Sequence, residues 1–190
     1  MTSRKGSVSS WHAILLFTLM LALTACSGGG GGSTGGGTGG GGGTNPPPSA
    51  ANEWAWVGGS SALNQPGVYG SLGVASAGNT PGARYNAVAW SDSSGNFWLF
   101  GGVGFDSTGT DGDLSDFWEF NTTTKQWTWA AGSNTANQPG VYGTQGVSAA
   151  SNTPGARDSP VAWTDSSGNL WLFGGGSSAG LYNDLWRYQP

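Results

Sequence analysis

An all-β fold built from repeated four-stranded units is what this sequence predicts, and three observations carry the prediction. A block of motifs recurs at a fixed offset of 73: NQPGVYG begins at Asn64 and Asn137, TPGAR ends at Arg84 and Arg157, and WLFGG begins at Trp98 and Trp171. A period of this kind signals a solenoid, an array or a propeller, in which each unit hides its apolar face against the next. Within one unit the apolar residues fall into short, aromatic and β-branched segments bounded by Gly, Asn, Asp or Ser, which is strand punctuation.

In chain order, the first element is an N-terminal leader. Arg4 and Lys5 precede an apolar run from Ala13 to Leu23 and then Leu23-Thr24-Ala25-Cys26. Charge, short apolar run and small residues are the signature of a secretory signal, residues 1–25. The run is much shorter than the ~20 apolar residues of a spanning helix, which makes a permanent transmembrane anchor the weaker reading. Leu-Thr-Ala-Cys resembles the lipobox of bacterial lipoproteins. That resemblance implies cleavage before Cys26 and attachment of lipid to its thiol, and Cys26 is the sole cysteine of the chain. Ser27 stands where the inner-membrane retention signal would be aspartate, so the expected location is the cell envelope, at the outer membrane where one exists.

Residues 26–51 follow as a tether. Gly28 to Gly43 is nearly all glycine and is succeeded by Pro46 to Pro48. With no apolar face to offset chain entropy, such a segment is expected to be disordered. A flexible coil of this length reaches roughly 28 Å. A phosphate-cradling loop would need a preceding strand and a following helix, and neither flank is present.

Loss of the leader would leave ten acidic side chains against Arg84, Lys125, Arg157 and Arg187, and would remove His12, the single histidine. An acidic, sparsely charged domain is a poor partner for nucleic acid, which needs clustered Lys and Arg. Without histidine or a free cysteine, Ser-His-Asp, Cys-His and zinc-histidine chemistry have no residues to work with. The expectation is therefore no catalytic residue, no metal and no cofactor, with enzymatic activity left undecided and leaning against.

The repeats occupy residues 52–190. One unit reads as four strands: Ala87 to Trp90, Phe97 to Gly102, Asp116 to Asn121 and Gln126 to Ala130. Asp92-Ser93-Ser94-Gly95-Asn96 makes the first hairpin, Gly95 supplying the positive φ of a tight reversal. Thr122 to Lys125 makes another; Asn121-Thr122-Thr123 matches a glycosylation sequon but is read as a turn. Phe97-Trp98-Leu99-Phe100 is apolar on both alternations, so both faces are expected to be covered, as in a propeller blade between neighbours. Trp127 and Trp129 point to one side of their strand, as do Trp54 and Trp56 in an earlier fourth strand. Packing between blades is the expected role of these tryptophans, with a sugar-stacking platform as the alternative.

These residues resemble the kelch-repeat family of β-propellers. The resemblance rests on the double glycines Gly101-Gly102 and Gly174-Gly175, on Asp116-Phe117-Trp118-Glu119-Phe120 and Asp184-Leu185-Trp186-Arg187-Tyr188, and on Trp127. It covers Asn52 to Pro190 and implies kelch-type blades. A kelch unit runs to about 50 residues, which leaves a surplus of about 23 per repeat between the fourth strand and the next first strand. The strands make about two blades, an incomplete ring, since closed propellers have four or more. Either the chain is a truncated propeller, the preferred expectation, or copies self-assemble to complete one.

In such a meander the long connections, Val103 to Ser115 and Gly132 to Arg157, share one face, where recognition is expected. Candidate ligand-binding residues at the start of the innermost strands are Arg84, Tyr85, Asn86, Arg157, Asp158 and Ser159. The arginines are suited to clamp a carboxylate or a sugar, or else to pair with a neighbouring aspartate such as Asp92 or Asp165. Asp106, Asp111, Asp113 and Asp116 are read as a solvated acidic loop, with Ca²⁺ binding as the alternative. Three functions fit: a membrane-anchored module binding glycan or protein ligands; a carbohydrate-active enzyme, since the resemblance also includes oxidases and mutarotases, although the copper oxidases need histidine ligands; or an inactive fragment.

Overall fold

The computed structural model describes residues 51–190. The expected signal sequence, Cys26 and all but the last residue of the tether lie outside the described residues. Twelve strands form: β1 (Arg84–Tyr85), β2 (Val88–Ser91), β3 (Phe97–Phe100), β4 (Val103–Phe105), β5 (Asp111–Asp113), β6 (Phe117–Asn121), β7 (Gln126–Ala131), β8 (Val161–Thr164), β9 (Leu170–Phe173), β10 (Gly176–Ser177), β11 (Gly180–Leu181) and β12 (Leu185–Tyr188). The fold is all-β, with no helix among the described residues.

The strands make four antiparallel sheets, and the two larger ones repeat each other. One has the order β2-β3-β6-β7 and the other β12-β9-β8. All four strands expected for the complete unit are present, with boundaries shifted by one or two residues. Each first hairpin is locked by its aspartate. Asp92 Oδ1 accepts from the backbone N–H of Ser94 and Asn96, while Oδ2 accepts from Trp98 Nε1; Asp165 makes the same bonds with Ser167, Asn169 and Trp171.

Side-chain alternation then sorts the aromatic residues onto two faces. Trp90, Trp98, Phe100 and Phe117 line one face of the four-stranded sheet and pack against Leu170 and Leu172 of the other sheet. Each large apolar side chain fully buried there contributes about 1.5–3 kcal/mol. Trp118, Phe120, Trp127 and Trp129 line the opposite face, where Tyr69 sits 4.8 Å from Trp118 and 5.3 Å edge-on to Trp129. The surplus of the repeat explains itself here. Residues 64–83 fold back as a loop closed by a Val68–Thr80 bridge, and this loop pairs with the outer edge of β7 through Gly73 N–H to Trp129 O (2.8 Å) and Ser76 N–H to Trp127 O (3.3 Å). Residues 137–156 repeat the loop, with a Val141–Thr153 bridge.

Two expectations are corrected. The Trp54 region does not form a strand; Trp54 and Trp56 stand in solvent because no strand edge lies beside them. The connection from Val103 to Ser115, read only as a long connection, contains two further strands. Its β4 and β5 pair with each other and with β1 in a separate three-stranded sheet.

Candidate functional site

The chain places its two repeated arginines at equivalent points, shortly before β2 and β8, and turns both inward. Arg84 donates to both carboxylate oxygens of Asp116 (2.6 and 2.7 Å) and to the carbonyls of Gly82 and Gly101 (both 3.1 Å). Asp116 also accepts from the Tyr69 hydroxyl (2.6 Å) and Trp118 Nε1 (2.7 Å). The second repeat rebuilds the cluster: Arg157 on Asp184 (2.5 and 2.9 Å), Gly155 O and Gly174 O (both 3.0 Å), with Tyr142 and Trp186 each 2.8 Å from Asp184. The Arg157 guanidinium also lies 3.8 Å over the Tyr182 ring, a cation–π contact.

The Arg84–Asp116 pair is buried and the Arg157–Asp184 pair nearly so, which strengthens their electrostatics. For Asp184 burial alone would raise the pKa, but the Arg157, Trp186 and Tyr142 hydrogen bonds and the arginine charge hold the carboxyl down at about 2. Burial pushes the Tyr69 hydroxyl far up, and the Asp116 charge adds to it. Burial opposes the Arg84 charge, yet the Asp116 hydrogen bonds and charge win and raise its pKa. Arg84 and Arg157 are thus committed to internal bonds, and the expected partners are corrected. Asp92 and Asp165 serve the hairpin turns, whereas the arginines reach Asp116 and Asp184, which the folded sheet brings next to them.

The reading of residues 106–116 as a solvated acidic loop is corrected too, because three of its four carboxylates are buried and hydrogen-bonded. Asp106, Asp113 and Asp116 are buried, and Asp111 alone is exposed. Asp106 accepts from the N–H groups of Thr108, Thr110 and Ala136 and from the Thr108 hydroxyl. Burial would raise its pKa, but these bonds hold it at about 2. Asp113 accepts from Ser178 N–H, 2.7 Å away. Among the described residues no three acidic, histidine or cysteine side chains converge as metal ligands. The two long connections meet on one side of the molecule, through Asn137 N–H to Asp113 O (2.7 Å) and Arg157 N–H to Leu114 O (3.0 Å).

Residues 85, 86, 158 and 159 behave differently from the arginines. Tyr85, Asn86 and Ser159 are exposed and Asp158 is half-buried. Asn86 Nδ2 lies 3.4 Å from Asp158 Oδ2, and Ser159 N–H donates to Asn86 O at 2.9 Å, so equivalent corners of the two repeats touch. Asn86 and Ser159 both take left-handed backbone, φ 54° and 49°. Only Gly, Asn and Asp adopt this region at little cost, so a serine held there marks a corner that its surroundings dictate. Gly102 and Gly175 allow the close approach, since a Cβ on either would come within 2.5 or 2.7 Å of the carbonyl of Tyr85 or Asp158.

An open groove of about 1310 Å³ runs between residues 142–154 and β12, with Trp186, Leu172 and Ala131 on its walls. The sequence signal for the buried clusters was the repetition of Tyr69 and Tyr142 and of the Asp-x-Trp motif. No protein-family model matches this chain, and no curated protein matches it.

Proposed function

We propose that the chain is a binding module of kelch-type blades, tethered to the cell envelope by a lipid on Cys26, that recognises glycans at the corner formed by Tyr85, Asn86, Asp158 and Ser159. The observation that carries the reading is the junction of Asn86 with Asp158 and Ser159. The exposed amide of Asn86 meets the half-buried carboxylate of Asp158 from the other repeat, and the exposed Ser159 bonds Asn86 O through its backbone N–H, next to the exposed Tyr85. Hydroxyl-rich ligands are held by such donors and acceptors, and a flat aromatic ring supplies a face for a sugar. The arginines support this corner from behind.

The test is an array of envelope and host polysaccharides probed with the full chain, followed by titration of the best ligand against Asn86→Ala/Asp158→Ala. Loss of hydrogen bonds to a charged group, ~1.5 kcal/mol or more, would weaken affinity about tenfold or more. Unchanged affinity would sink the site, and protein ligands captured in place of any polysaccharide would point to the other ligand class. The tether has its own check. Cys26→Ser is expected to abolish fatty-acid labelling in the cell, and persistent labelling would refute the lipid anchor.

A further inference from the structure

The internal contact between the two larger sheets is repeated, unpaired, on both outer sides of the sheet pair. Trp90 and Phe100 are 8% and 3% exposed against the second sheet, whereas their equivalents Trp163 and Phe173 are 42% and 43% exposed. On the other side, Leu170 is 2% exposed and its equivalent Phe97 is 52% exposed. One outer face therefore carries the first half of an interface that the molecule already builds, and the opposite outer face carries the second half.

The second sheet also has one strand fewer than the first among the described residues. In the first sheet β7 lies between β6 and residues 70–79, where Asn79 Nδ2 adds a bond to Trp127 O at 3.0 Å. In the second sheet β12 has no partner on its outer edge among the described residues. The matching loop is nonetheless in place. Asn152 Nδ2 bonds Val147 O as Asn79 bonds Val74 O, but it lacks the second bond that Asn79 Nδ2 makes to a fourth strand, at Trp127 O. Tyr142 stands over Trp186 at 5.2 Å, yet is 51% exposed where Tyr69 is 4% exposed. The groove beside residues 142–154 is the space that a fourth strand would fill.

The chain carries a spare copy of that strand. Glu53-Trp54-Ala55-Trp56-Val57-Gly58-Gly59-Ser60 matches Gln126-Trp127-Thr128-Trp129-Ala130-Ala131-Gly132-Ser133 at the repeat offset, and Gly59 and Gly132 share φ 79°. Trp54 and Trp56 are 103% and 72% exposed. We propose that the Trp54–Val57 segment of one copy docks as the fourth strand against β12 of a second copy, Trp56 opposite Trp186 and Ala55 opposite Arg187. Gly146 and Ala149 N–H would then bond the inserted strand as Gly73 and Ser76 bond β7. The contact is heterologous, head to tail, and its repetition gives a ring if the rotation closes. Roughly two to four copies would make the four to eight sheets of a closed propeller. In the single chain the segment pairs with no strand among the described residues.

The experiment co-expresses two differently tagged full-length chains, one Ala55→Cys and the other Arg187→Cys, and treats intact cells with a short thiol cross-linker. A mixed-tag dimer absent from either variant alone is expected, because directly opposed strand positions hold their Cβ atoms close. Trp54→Ala/Trp56→Ala, at positions solvent-exposed in the single chain, is expected to abolish that dimer and the oligomeric mass in detergent without altering far-ultraviolet circular dichroism. A monomeric mass for the unaltered chain overturns the proposal. So does a cross-link that stays within one chain when both cysteines are placed together.

Discussion

At the residue scale, the decisive feature is the aspartate that gathers an arginine fork, a tyrosine hydroxyl and an indole N–H on one carboxylate. Asp116 is 0% exposed, so an isolated charge there would be untenable, and Arg84 supplies the compensation in bidentate form. Asp116→Asn leaves the buried guanidinium without its counter-charge and is expected to destabilise the chain by about 3–5 kcal/mol. Asp184→Asn should cost less, because its side chain is 16% exposed. Urea unfolding of the two variants measures the difference; a loss below ~1 kcal/mol at Asp116 would show that the pair does not matter to stability. The arginines were legible in the sequence as the only repeated basic residues. Their partners were not, since Asp116 lies 32 positions from Arg84 and is brought near only by the pairing of β6 with β3.

At the scale of elements, strands and hairpins were read nearly to the residue, because alternation, aromatic content and the Asp-Ser-Ser-Gly-Asn turn are local signals. The β4–β5 hairpin was missed because Val103-Gly104-Phe105 and Asp111-Gly112-Asp113 have little apolar content; their ladder is specified by β1 and by buried carboxylates. Hydrogen-bonded carboxylates across the elements make the fold sensitive to acid. Asp106, Asp165 and Asp184 are each held at about 2 in the folded chain, Asp165 by the Asn169 and Trp171 side chains first. An unfolded aspartate titrates near 3.9, so the unfolded chain binds protons first as pH falls. The stability these groups contribute is complete above about pH 4 and is lost as pH falls toward about 2. Melting temperature should therefore drop steeply across that window, and Asp106→Asn, less stable at neutral pH, should flatten the drop. Parallel profiles for the two proteins would contradict this role for Asp106.

At the scale of the whole molecule, two equivalent sheets pack against each other, and the proposed ligand corner and strand exchange are both drawn from that repetition. The sequence by itself determined the all-β class, the 73-residue period and the four strands of the complete unit. All of these reside in local composition and spacing, which need no knowledge of what lies across the sheet. Tertiary structure alone decided that Arg84 and Arg157 are internal struts, that residues 64–83 clamp the edge of β7, and that Trp54 and Trp56 stand exposed. Those outcomes depend on which distant groups a buried charge or an open strand edge meets, and proximity in space is created only when the sheets pack.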